Sequence, residues 1–152
     1  MFSAGLQVST SHLACRAAGL LTALATLVAC TSPPAYRGVG GMTAYRIAPE
    51  AYLFHYEKGF TGVDAMGWDA NLQFAWSRLG AAKTCGLPFD STLLTQQLIA
   101  RFGHDRFAHE SNGVDFHHLQ SKGIAGFCND VRVAEVKALL PPMAVGQFAS
   151  RF

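Results

Sequence analysis

From residue 68 onward, apolar positions recur in steps of three and four. Trp68, Leu72, Ala75, Trp76, Leu79 and Ala82 form one such stripe, which predicts a helix over residues 69–83. Asp64 or Asp69 is placed to cap its start, and Gly86-Leu87-Pro88 to end it just after Cys85. A second helix is expected over residues 91–102, with Leu94, Leu98 and Phe102 four apart, Asp90 or Ser91 as cap and Gly103 as stop. Residues 104–112 carry no clear period, and Asn112-Gly113 reads as a turn. A third segment then opens at Asp115, with Phe116, Leu119, Gly123 and Phe127 on one face, and ends at Cys128. The last helix is expected over residues 131–140, capped by Asn129 or Asp130 and stopped by Pro141-Pro142.

Upstream of Trp68 the period changes. Tyr45 and Ile47, then Tyr52, Phe54 and Tyr56, alternate with other residues, and aromatic residues at period two favour short strands. Pro49 would confine such a strand to an edge, and Gly59 and Gly62 would bracket a turn. The expectation is a mainly α domain of about four short helices with a short N-terminal β element. It spans residues 43–140 and is followed by a C-terminal tail, 141–152.

The N-terminal third has a different character. Arg16 precedes an uncharged, largely apolar run of 13 residues, Ala17 to Ala29, which ends at Cys30. A spanning helix needs about 20 apolar residues, so this run fits the apolar region of a signal peptide instead. Leu27-Val28-Ala29-Cys30 resembles the lipobox of bacterial lipoprotein precursors. The resemblance covers these four residues, and it implies a signal peptide over 1–29 and lipidation of the Cys30 thiol. Two acyl chains suffice for stable anchoring, so the membrane is the first expected partner. In enteric-type lipoproteins an Asp after the lipidated cysteine retains the protein at the inner membrane. The residue here is Thr31, which implies the outer membrane, facing the periplasm. Residues 30–42 hold two prolines and three glycines without periodicity and read as a flexible tether.

Charge and cysteine count refine this picture. The chain carries 12 basic and 10 acidic side chains, and removing residues 1–29 takes away only Arg16. A chain so near neutrality lacks the clustered cations of a nucleic-acid surface. Cys15 would leave with the signal and Cys30 would carry lipid, so Cys85 and Cys128 remain. An even pair in an oxidising periplasm reads as a disulfide, worth roughly 4 kcal/mol for a loop of this length.

Candidate chemistry is sparse. His104, His109, His117 and His118, with Glu110, are the tempting metal or pH-sensing cluster. Their spacing is poor for a metal, because adjacent His117 and His118 point about 100° apart on a helix and His104 and His109 about 140° apart. Five of the ten acids, Asp64, Asp69, Asp90, Asp115 and Asp130, stand at expected helix starts; Glu57 and Glu110 do not, yet two isolated acids make no glycosidase cleft. No G-x-S-x-G, phosphate loop or C-x-x-C occurs. Tyr52, Phe54, Tyr56 and Phe60 could form an exposed platform or pack on Trp68 and Trp76 as core. The favoured function is a membrane-anchored envelope lipoprotein with a non-catalytic, cofactor-free domain that binds a protein partner. The alternatives are a metal- or pH-responsive periplasmic protein and a peptidoglycan-acting enzyme.

Overall fold

The computed structural model describes residues 46–103 and 107–152. The expected signal peptide, Cys30, the tether, Tyr45 and His104 lie outside these residues. Among the described residues five α-helices follow in order, α1 (Pro49–Lys58), α2 (Ala70–Thr84), α3 (Ser91–Phe102), α4 (Phe107–Lys122) and α5 (Asp130–Ala144), with a 3₁₀ turn at Gly62–Ala65 between the first two. The domain is mainly α, as expected, and among the described residues there is no strand.

From Pro49 on, the β element foreseen upstream of Trp68 is instead helix α1. Tyr52 and Tyr56 are two alternate steps apart, but also one helical turn apart, so their spacing satisfies both periods. Pro49 in the first turn is preset for a helix, and Glu50 there favours the positive end of its dipole. Ala51, Tyr52, His55 and Tyr56 turn inward together, while Phe54 faces outward at 36% exposure.

Helix α2 is the axis of the fold. Every residue from Leu72 to Ala82 is buried, so the helix has no solvent face along that length. It serves two apolar clusters. Ala81 and Ala82 join Tyr52, Tyr56, Phe60, Phe116, Phe127 and Val136 in one. Leu72, Ala75, Trp76 and Leu79 join Leu94, Leu98 and Met143 in the other. Asp69 caps α2 by accepting from Asn71 N at 2.8 Å and Leu72 N at 3.0 Å. Asp90 and Asn129 cap α3 and α5 in the same way, accepting at 2.9 and 3.0 Å.

Helix α4 runs straight through Asn112-Gly113, where a turn was expected. The reason is steric. Gly113 packs directly against the Trp76 indole, in space a β-carbon would occupy. Gly80 of α2 meets α4 likewise, since a β-carbon there would lie 2.6 Å from His117 Cβ and 2.7 Å from the His118 backbone nitrogen. Two glycines, one on each helix, let α2 and α4 approach closely. Helix α4 then stops at Lys122, and Phe127 reaches the core from the following loop.

Pro141 and Pro142 do not stop α5, which continues to Ala144. They forgo bonds back to Lys137 and Ala138, both exposed residues whose carbonyls can face water. Met143, 1% exposed, and the neighbouring Leu139, Leu140 and Ala144 pack into the second cluster, and that burial holds the last turn in place. The expected disulfide is present. Cys85, directly after α2, joins Cys128 in the loop before α5, with a Cα–Cα distance of 5.5 Å.

Close approach at Gly80 makes this buried position sensitive to even a small substitution. Gly80→Ala should destabilise the domain by about 1–3 kcal/mol through overpacking, despite its better helix propensity. A thermal melt checks this, and an unchanged or higher midpoint would contradict the close crossing of α2 and α4.

Candidate functional site

Three helices leave a cleft of about 310 Å³ at one side of the domain. Leu79 and Lys83 of α2, Ser91, Leu94 and Thr95 of α3 and Ser111, Val114 and Asp115 of α4 line it, together with Phe89 from the loop before α3. Its walls are apolar because each helix turns part of its core stripe toward the gap. Its rim is polar. Lys83 Nζ donates to Asp115 Oδ1 at 2.6 Å across the mouth, with both side chains nearly half exposed. Such an exposed pair contributes little to stability and can rearrange around a ligand at small cost. Phe89 and Leu94 also wall a smaller cleft of about 190 Å³ toward Leu93, Leu140 and Pro141. An apolar lining with hydroxyls and one cation–anion pair at the edge suits an apolar side chain or small amphiphile.

The histidines are dispersed rather than gathered. His117 is fully buried, with Nε2 2.8 Å from Gln73 Oε1 and Nδ1 3.1 Å from the Tyr52 hydroxyl. Gln73 Nε2 donates to Ala65 O at 3.0 Å, so its oxygen is the acceptor facing His117. The imidazole thus carries its proton on Nε2 and accepts from Tyr52 on Nδ1. Burial, aided by the Arg78 guanidinium, pushes its pKa down to about 3. His118, next in sequence, points to Thr84 Oγ1 at 2.9 Å. Its pKa is lowered, first by partial burial and then by Lys83 and Lys122. His109 lies against Trp68, with ring centroids 4.5 Å apart and the planes tilted by 58°. Among the described residues no group of three or more His, Cys, Asp or Glu side chains is placed to hold a metal ion.

The two acids without an expected role have one. Glu110 is buried and accepts from Trp76 Nε1 at 2.6 Å, tying α4 to α2 beside Gly113. Glu57 accepts from Arg132 at 2.9 Å, tying α1 to α5. Of the aromatic platform, Tyr52, Tyr56 and Phe60 are buried; they pack with His117 and Phe127 rather than with the tryptophans. Burial also pushes the Tyr56 phenol up to about 12, against the opposing pull of Arg78.

Arg78 is the polar centre that periodicity does not reveal. It is 3% exposed, stands off the apolar stripe of α2, and is buried because α2 is enclosed all round. Its guanidinium lies 3.9 Å from the Tyr56 ring centre and 4.2 Å from that of Phe74. It donates to Tyr56 O at 2.7 Å and to Glu135 Oε1 at 3.0 Å. Such a charge is retained because carbonyl, carboxylate and ring faces replace its water.

Compared with known proteins, the chain matches no family model, no curated protein and no solved structure. The functional reading therefore stands on the chain's own residues.

His117 gives the domain a defined acid response. Its native pKa lies below the ordinary value of 6.5, so between pH 6.5 and about 3 the unfolded chain binds a proton that the native state refuses. Stability falls as pH drops through that window, by at most about tenfold in the folding constant per pH unit from this residue. His117→Gln should flatten the slope of melting midpoint against pH while lowering the midpoint at pH 7. A slope unchanged by the substitution would exclude His117 as its source.

Proposed function

We propose that the chain is a lipid-anchored protein of the bacterial cell envelope whose helical domain acts by binding. The anchoring half rests on the apolar run 17–29 and the Leu27-Val28-Ala29-Cys30 motif. The Cys85–Cys128 bridge supports it, because such bonds persist in oxidising compartments. Among the described residues no helix is long and apolar enough to cross a membrane. Thr31 after the cysteine favours the outer membrane, with the domain in the periplasm.

The observation that carries the binding half is the cleft between α2, α3 and α4. Leu79, Leu94 and Val114 supply an apolar floor, and Lys83, Asp115, Ser91 and Thr95 supply a polar edge. That pairing fits capture of an apolar side chain from a protein partner in the envelope. Acids and histidines elsewhere support binding over chemistry, since Glu110, Glu57, His117 and His118 are held in bonds that join one helix to another.

Two outcomes are expected. Cells fed radiolabelled palmitate should label the wild-type protein in the membrane fraction, and Cys30→Ser should lose both label and membrane retention. Label persisting on Cys30→Ser would refute lipidation at that residue. A photocrosslinker placed at Ser91 should capture an envelope protein in intact cells. Filling the cleft with Val114→Phe should reduce that capture about tenfold without lowering the melting midpoint. Capture indifferent to the filling, or turnover of wall fragments by the domain, would replace the binding reading.

A further inference from the structure

Beyond α5 the chain turns at Gly146, in a left-handed conformation with φ of 77°, and runs back across the domain. Phe148 docks edge-on to Phe102, ring centroids 5.7 Å apart. The last two residues then enter a shallow groove between the end of α1 and the start of α2. One side chain there reads their backbone. Asn71 Nδ2 donates to Phe152 O at 2.8 Å, and its Oδ1 accepts from Arg151 N at 2.7 Å and Phe152 N at 3.1 Å. A carboxamide that accepts from two successive amides and donates to the oxygen of the second residue holds a locally curled main chain whatever its side chains.

Side-chain choice comes from the walls. The Phe152 ring lies directly over Gly59, where a β-carbon would overlap it, and beside Phe74 at 6.3 Å. The Arg151 guanidinium covers the Phe74 ring at 4.6 Å, with Nη1 3.9 Å from Glu135 Oε1. Glu135 is already anchored by buried Arg78, so its carboxylate is held in place for a second cation. The groove is thus built for an arginine followed by an aromatic residue. Its present occupants are loosely covered, Arg151 52% and Phe152 47% exposed.

We propose that this groove is a recognition site for an Arg–aromatic segment of another protein, and that residues 151–152 occupy it as an internal competitor. The inference is independent of the α2–α3–α4 cleft, from which it shares no residue. A tethered segment acts at an effective concentration of about 1 mM, so an outside peptide must overcome that advantage or meet a weakened strap. The strap can be weakened without touching the groove. Arg151→Asp sets a carboxylate against Glu135, and Phe152→Gly removes the ring above Gly59.

The test uses the full chain and a fluorescent, amidated peptide carrying residues 147–152. The Arg151→Asp/Phe152→Gly protein should bind this peptide at least about tenfold more tightly than wild type does. Adding Asn71→Ala should abolish the gain while the melting curve shows the domain still folded. In NMR spectra the Gly59 amide should shift on binding. No binding to the weakened-strap protein at about 1 mM peptide would overturn the proposal. Equal affinity for both proteins would do the same, because the peptide would then be bound elsewhere. Dimers of the wild-type protein formed by exchange of their tails would assign the groove to a second copy of this chain and overturn the choice of partner.

Discussion

Helix α2 is enclosed from Leu72 to Ala82, and that enclosure constrains everything around it. An enclosed helix cannot send its polar side chains to water, so each needs a partner inside the protein. Gln73 is answered by Ala65 and His117, Ser77 by the carbonyl of Phe74, and Arg78 by Tyr56 and Glu135. Ser77 turns back onto α2 itself, but the other answers come from the 3₁₀ turn, α4, α1 and α5, so the polar groups of one helix tie it to four other elements. The apolar clusters supply the driving force; the polar contacts select a single arrangement of it.

Much of this could be read in the sequence, and the misses share a cause. Helices α2 and α3 carry one-sided stripes and strong caps, and their boundaries follow within a residue of expectation. The disulfide followed from counting cysteines. Helix α1 was misread because Tyr52 and Tyr56 fit either period, and only packing against Phe60, His117 and Phe127 decides between them. The start of α4 was hidden by Asn112-Gly113, whose local preference for a turn yields to the Trp76 indole lying on Gly113. Pro141-Pro142 was overruled by the burial of Met143. In each case a tertiary contact outweighed a local preference of about 1–3 kcal/mol.

Candidate sites were less legible than the fold. The histidines drew notice as ligands, but a single sequence does not reveal that His117 is enclosed by Tyr52 and Gln73. The cleft is assembled from residues that also belong to ordinary core stripes, and nothing in their spacing marks a gap between helices. Asn71 lies in the first turn of α2, where a polar residue invites no comment; its role depends on residues 80 positions further on. The two ends of α2 are thus fastened differently, one by hydrogen bonds to the C-terminal residues and the other by the covalent bridge at Cys85.

The division of the core into two clusters has an optical consequence. Both tryptophans, Trp68 and Trp76, stand at the Leu72–Met143 cluster with ring centroids 5.3 Å apart, whereas Tyr52 and Tyr56 lie in the other. Indole fluorescence therefore watches one half of the interior, and the absorbance of Tyr52 and Tyr56 watches the other. Because α2 belongs to both halves, loosening either one withdraws a wall from its neighbour. Two chromophores that never touch the same cluster are joined through a single helix, and the domain carries its own paired gauge of cooperativity.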